Sequence, residues 1–463
     1  MTRVVLISPY ELGRQPFGLA QPAAWLREEG SEVSCLDLSI QRLDPMVLGQ
    51  ADLVAIHVPM HTATRIAVEA LPRIREMAGT AELCVYGLYA PMNEPMFRSL
   101  GVGTVLGGEV EQGLVSLLWR IRRGDVKRQI EPLISLAKLP FKVPDRSGLP
   151  ALGRYASLVL PDGRRKIAGF AEASRGCKYL CRHCPVVPVY EGRFRVVPID
   201  VVLADIGQQV AVGAEHISFG DPDFLNGPTH ARRLVRALHR EHPGLSYDVT
   251  IKIEHIVKYP ELMRELKDTG CLFVTTAAEA VDDDVLARLD KGHTHEDFGR
   301  AVSLCRQIGL HLAPTFVAFT PWTTCEGYVR LLRRLSELEL VESVPPVQLA
   351  IRLLVPEGSY LLRLPGFSDL VEAFDPDMLG YPWRNPDPRV DRLQEDIMAR
   401  VAQAEADGWS RSRIFAQVWS MAHAAMGMSA AGLPAGNFGK PVPHLSEAWY
   451  CCAEPTGQQL QAF

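Results

Sequence analysis

Gly176-Cys177-Lys178-Tyr179-Leu180-Cys181-Arg182-His183-Cys184-Pro185 is the stretch that decides this chain, because its cysteines are separated by three and then two residues. Three thiolates hold three irons of a 4Fe-4S cluster and leave the fourth iron open to a small molecule, where an electron-transfer cluster has a fourth cysteine. Two other readings of the same residues stay open. A zinc knuckle wants a fourth ligand close by, and His183 lies between two of the cysteines, poorly placed to join both on one tetrahedral ion. The third reading is cysteines without metal. An apolar run from Ile167 to Ala173 leads into the motif as a barrel strand would.

On this motif the chain resembles the radical S-adenosylmethionine (SAM) superfamily. The resemblance implies a 4Fe-4S cluster on Cys177, Cys181 and Cys184, with SAM bound at the open iron through its amino and carboxylate groups. It also implies reductive cleavage of a carbon-sulfur bond, a small-molecule substrate, and an electron donor such as a flavodoxin or ferredoxin. His183 stands where family members usually carry an aromatic that packs beside the adenine.

The chain has 463 residues, 47% of them hydrophobic, enough for two or three packed domains. Lys and Arg number 49 against 54 Asp and Glu, with no basic tract, so nucleic acid is not an expected partner. The start, MTRVVLISPY, lacks the apolar core of a signal peptide, and no stretch is long and apolar enough to span a membrane. Ten cysteines, three of them committed to an oxygen-sensitive cluster, indicate a reducing, cytoplasmic setting.

From Arg3 to about Arg123, buried runs of four to six residues alternate with helical patterns, including one near Arg65 to Met77. This predicts a parallel, doubly wound, flavodoxin-like sheet of about five strands over residues 1–125. Ligands bind outside the carboxyl ends of such strands, here Pro9 to Pro16, Pro59 to Thr62, Gly87 to Pro91 and Gly107 to Glu109. Residues 126–165, punctuated by prolines, read as a linker. A second α/β block over 166–385 carries strand signals at Gly169 to Ser174, His216 to Phe219, Asp248 to Ile253, Cys271 to Thr275, His311 to Phe316 and Val347 to Leu353. Six β/α units match the partial (β/α)6 barrel of the resembled family. Helices near Arg389 to Asp407 and Arg411 to Met426, then a Gly- and Pro-rich tail, fill 386–463.

The resemblance extends to further positions. Family members place a short acidic or glycine-rich motif after the second strand to accept hydrogen bonds from the SAM amino group. In Phe219 to Asn226 that motif gives Asp221, then Asp223, with an ordinary acidic turn as the alternative. Lys252, Glu254 and Glu279 are expected on strands three and four, pointing inward. Glu279 matches the Glu of the family's fourth strand, and internal salt bridging accounts equally for Lys252 and Glu254. Arg352 is a candidate for the SAM carboxylate or for a cap on the barrel bottom. The amino-terminal block resembles the cobalamin-binding domains attached to many such enzymes, with Gly107 to Leu114 as the matching stretch. It lacks Asp-x-His-x-x-Gly, which supplies a histidine to cobalt. A domain that merely shapes the active site is the alternative. Cys35, Cys84, Cys271, Cys305 and Cys325 occur in apolar or helical contexts and read as core.

In the tail, Cys451 and Cys452 follow Trp449 and Tyr450, and adjacent thiols form a soft two-donor clamp. The ending resembles that of the CUAEP/CCAEP-tail radical SAM proteins. As a family this is similar to the arsinothricin-biosynthesis enzymes, which transfer the 3-amino-3-carboxypropyl group of SAM to trivalent arsenic. The implied reaction is attack of a SAM-derived carbon radical on arsenite held by Cys451 and Cys452. A cobalamin-dependent radical SAM methyltransferase and a non-enzymatic metalloid sensor are the alternatives.

Overall fold

In the computed structural model, which describes residues 1–126, 128–428 and 438–447, the first strands are short apolar runs covered on both faces. They are β1 (Arg3–Ser8), β2 (Glu32–Asp37), β3 (Leu53–His57), β4 (Glu82–Tyr86) and β5 (Thr104–Gly108). Val4, Val5, Leu6 and Ile7 in succession are buried, the pattern of a parallel strand between two helix layers. The order β2-β1-β3-β4-β5 is parallel throughout, as predicted. Helices Phe17–Glu28 and Glu111–Arg123 cover one face, and His61–Ala78 covers the other.

The stretch predicted as a linker takes part in both sheets. β6 (Ile134–Ser135) extends the first sheet beside β5, and β7 (Ser157–Val159) joins the second antiparallel to β8 (Arg165–Ala171). After β8, β9 (Ser174–Gly176) and β10 (Phe194–Val196) form a small antiparallel pair that brackets the cysteine loop. The barrel continues through β11 (His216–Phe219), β12 (Ser246–Thr250), β13 (Cys271–Glu279) and β14 (His311–Phe316), parallel to β8 in the order β14-β13-β12-β11-β8. β15 (His444–Leu445) closes the far edge against β7.

At the sixth barrel position, Val347 to Leu353 makes no strand ladder. Pro345 and Pro346 open a short 3-10 turn, Pro346–Leu349, and a single parallel bridge joins Phe319 to Arg352. Proline has no N–H to give a ladder. The edge of β14 is served instead by a side chain, since Phe316 N–H donates to Gln348 Oε1 at 3.0 Å. Helices Pro388–Ala406 and Arg411–Ala425 do not form a separate unit: Val390, Ile397, Val418 and Trp419 belong to the barrel's own core. Cys35, Cys84, Cys271, Cys305 and Cys325 are buried, as expected. Among the described residues, no helix is long and apolar enough to cross a membrane.

Two elements fix the sheets against each other. Arg146, from the former linker, makes a two-pronged ion pair with Asp205 at 2.7 and 2.9 Å, and Phe17 meets Phe170 edge-on at 5.8 Å. The carboxyl ends of both sets of parallel strands thereby enclose one cavity of about 450 Å³.

Candidate active site

The cysteine loop leaves β9 through Gly176, whose φ of +73° is a conformation glycine adopts without strain. Cys177, Cys181 and Cys184 all line the cavity, and each has a donor at its sulfur. The Tyr179 N–H serves Cys177 and the Val186 N–H serves Cys184, while Lys252 Nζ lies 3.8 Å from Cys181 Sγ. Burial pushes the Cys177 and Cys184 thiols up, so iron binding displaces protons from them. Donors around thiolate sulfurs are the means by which a protein sets a cluster's potential. The residues present fit a cluster held by three thiolates.

Asn226 ties the loop to the second strand's turn. Its Oδ1 accepts from Lys178 N–H at 3.3 Å, its Nδ2 donates to Gly176 O at 3.4 Å, and Lys178 Nζ reaches its carbonyl at 3.2 Å. The neighbouring aspartates lie behind this layer. Asp221 accepts from Ala173 N–H at 2.9 Å and from the Ser174 hydroxyl, so both oxygens hold the entry to the loop. Asp223 caps the 3-10 turn Phe224–Asn226, accepts from Lys252 N–H at 3.3 Å and stands 2.8 Å from His255 Nδ1. Neither lines the cavity. They position the residues that do.

Glu279 ends β13 with φ +63°, at the irregularity in the β13–β14 register, and lines the cavity as expected. It accepts from Lys291 Nζ at 3.2 Å and lies 3.1 Å from His183 Nε2. Burial alone would raise this carboxyl. The Lys291 ammonium and His183 outweigh burial and hold it at about 2. Glu279 is therefore a fixed anion beside the cluster loop.

The structure departs from the sequence expectation at Lys252 and Glu254. β12 ends at Thr250, so Lys252 and Glu254 are not strand residues: Lys252 caps helix Ile253–Lys258 and Glu254 lies in its first turn. The strand stops there because Asp223 takes the Lys252 N–H. Lys252 nevertheless lines the cavity, 3.3 Å from the Tyr179 ring centre and 3.7 Å from Glu254. Arg352 faces away from the cavity. It stacks on Trp383, donates to that residue's carbonyl, and pairs with Asp391 at 2.7 Å, anchoring the first carboxyl-terminal helix. Cys451 and Cys452 lie outside the described residues.

Several site residues escaped the sequence reading. Lys291 is one, and Tyr179 is another, with its hydroxyl 2.7 Å from His255 Nε2 and 3.2 Å from Glu254. His57, at the end of β3, holds Glu11 Oε1 at 2.7 Å through Nδ1 and lines the cavity. Arg175 bridges the domains, donating to Glu109 at 3.1 Å and Glu111 at 2.6 Å. The arginine's position two residues before Cys177 was the one visible signal.

Residues 172–323 match the family model described as the radical SAM superfamily. The chain is 22% identical over 351 residues to the uncharacterized methyltransferase PH0819 of Pyrococcus horikoshii, covering 70% of this chain and 74% of that protein. It is also 22% identical over 329 residues to the hopanoid C-3 methylase of Methylococcus capsulatus, covering 66% and 62% respectively. Among solved structures it is similar to the radical SAM methyltransferase TsrM from Kitasatospora setae with cobalamin and a [4Fe-4S] cluster bound. There the TM-score is 0.58 and the identity 20%, over 73% of this chain and 71% of that one. OxsB, a cobalamin-dependent SAM radical enzyme solved with aqua-cobalamin and SAM, gives a TM-score of 0.65 at 15% identity over 88% and 67%. At these identities the structural likenesses show the fold.

Proposed function

We propose that this radical SAM enzyme, which carries a 4Fe-4S cluster and uses SAM, is a cobalamin-dependent methyltransferase acting on a small molecule. In this reading SAM sits on the cysteine loop and a corrin at the strand ends of the amino-terminal sheet. The observation that supports it is the single cavity between the two sets of strand ends. When bound, the cluster supplies the electron that breaks a carbon-sulfur bond of SAM, and the corrin carries the methyl group.

The chain's own residues divide the work. Cys177, Cys181 and Cys184 hold the cluster and Lys252 offsets the negative charge at Cys181. Glu279, kept ionised by Lys291 and His183, accepts hydrogen bonds from SAM hydroxyl or ammonium groups. On the opposite wall, His57 offers an imidazole backed by a carboxylate, the pairing by which proteins orient a metal-ligating histidine. Its Nε2 has no hydrogen-bond partner among the described residues. Imidazole nitrogen ligates late first-row metals, so His57 would be the residue to hold cobalt although it comes from the β3 end and not from an Asp-x-His-x-x-Gly loop. Phe17, Met60 and Tyr89 give the amino-terminal side of the cavity an apolar lining.

The test is anaerobic reconstitution of the full chain with iron, sulfide and hydroxocobalamin, followed by gel filtration and mass spectrometry of SAM fragments. Stoichiometric corrin absorbance that His57→Ala weakens, together with S-adenosylhomocysteine and 5'-deoxyadenosine, is the expected result. A protein that retains no corrin sinks the proposal.

A second reading, aminocarboxypropyl transfer to arsenite held by Cys451 and Cys452, is favoured by one contact. Glu447 accepts from the Tyr10 hydroxyl and lies against Gly13, beside the cavity residues Glu11, Leu12 and Arg14. Cys451 follows Glu447 by four residues in the sequence. Methylthioadenosine appearing only with arsenite, and lost in C451S/C452S, would support this reading. The same fragments from the double variant would end it.

A further inference from the structure

One wall of the cavity carries carboxylates that the roles proposed above for the cluster and SAM leave unused. Arg175 donates from Nη1 to Glu109 and Glu111, and from Nε to Glu172 at 3.2 Å, so one guanidinium serves three carboxylates. Glu109 and Glu111 are 3% and 2% exposed. Each keeps one buried oxygen, Glu109 Oε1 and Glu111 Oε2, with no partner among the described residues. The nearby Arg195 does not supply one: it donates to the Phe194 and Leu136 carbonyls at 3.2 and 2.7 Å. Glu111, Glu172 and Arg175 all line the cavity. Burial pushes Glu109 up and Glu172 to about 7, against the pull of the Arg175 guanidinium on both and of Arg195 on Glu109.

A buried carboxylate oxygen without a donor is costly, and the cost is removed by a ligand that brings N–H groups and positive charge. A primary ammonium brings both: three donors on a compact cation. Neutral amides bring donors without charge, and alcohols bring one donor each. We infer that Glu111, with Glu109 and Glu172 around Arg175, forms an ammonium-binding subsite, and that the substrate class is a primary aliphatic amine. The inference rests on the reading of this cavity as the substrate site of a radical SAM enzyme. Arg175 precedes Cys177 by two residues, so an amine docked here extends its carbon chain alongside the cluster loop. The wall acts by orienting substrate and takes no part in bond cleavage.

The experiment is calorimetric titration of the cluster-loaded full chain, with SAM present and no reductant, using n-hexylammonium, 1-hexanol and hexanoate. The expected result is binding of the ammonium about ten-fold or more tighter than the other two, the scale of one charge-assisted hydrogen bond. Glu111→Gln should erase the preference at unchanged iron content, and Glu172→Gln, at a less buried position, should reduce it if the first variant does not fold. Equal binding of the three probes, or a preference intact in both variants, overturns the inference. Repeating the titration with hydroxocobalamin bound separates the two sources of N–H donors. Survival of the preference supports a substrate subsite, and its loss assigns the carboxylates to corrin amides and overturns the inference. Dithionite-driven SAM cleavage without any amine reads the enzyme class separately.

Discussion

Substituting alanine for Gly176 tests whether the cluster depends on the geometry with which the chain enters the cysteine loop. Two costs arise. At φ +73° an L-residue is strained by about 1–2 kcal/mol. In addition, a Cβ would meet the Arg193 carbonyl oxygen and stand 2.5 Å from Tyr190 Cδ1, against 3.4 Å for ordinary contact. The Tyr190 ring can shift to absorb its shortfall of about 0.9 Å, but the collision with Arg193 O cannot be relieved by a side-chain rotation, because that oxygen is backbone beside the β9–β10 ladder. A site built on several ligands tolerates about 0.5 Å of misplacement, and Cys177 is the next residue. Gly192 is the control. It shares the strain, with φ +78°, but its nearest neighbour is the flexible end of Leu180 at 3.4 Å. The difference between Gly176→Ala and Gly192→Ala isolates the collision, about 1–3 kcal/mol for an overpacked contact, or roughly 5- to 150-fold in cluster retention. Competition with an iron chelator, followed by the loss of cluster absorbance, measures the ratio, with circular dichroism confirming the fold of both variants. Equal retention by the two alanine variants would refute the reasoning.

Glu279→Gln should destabilise the metal-free protein at neutral pH by about 3–5 kcal/mol, because Lys291 is left as an uncompensated buried charge. With Glu279 depressed to about 2 from 4.5, the wild type holds this stabilisation above about pH 4.5 and loses it as pH falls toward 2. Urea midpoints across that range should converge for the two proteins at the acid end. Lys252→Met removes a cation 3.8 Å from Cys181 Sγ and should lower the cluster's reduction potential by roughly tens of millivolts, read by redox-poised EPR. Gln348→Leu strips the acceptor from the buried Phe316 N–H and should cost about 1–3 kcal/mol in chemical denaturation. Gly18→Ala drives a Cβ into the His57 ring, so corrin retention should fall with it; unchanged retention would separate His57 from corrin binding.

What the sequence disclosed follows from the range of the interactions involved. The cysteine trio and the doubly buried strands are local patterns, and β11 and β14 run where their apolar runs place them. Val347 to Leu353 carries the same apolar signal. Whether it pairs depends on Pro345 and Pro346 and on a Gln348 side chain that does the work of a main-chain acceptor, which periodicity does not register. Lys252 and Glu254 alternate like strand residues until an aspartate 29 residues earlier takes the Lys252 N–H. Asp221 and Asp223 show a different limit. A carboxylate after a strand advertises an acceptor, but Ser174 and Ala173 had already claimed Asp221 across 47 and 48 residues of sequence.

The acidic wall is the extreme case. Glu109 and Glu111 lie 66 and 64 residues from Arg175, in the turn after β5 and at the start of the helix that follows it, so their shared cation cannot be seen in either local pattern. Charge counting along the chain balances such groups against arginines that are elsewhere. Only the folded arrangement reveals that one guanidinium donates to three carboxylates, and a buried imbalance of that kind is relieved either by protonation or by a ligand that completes it.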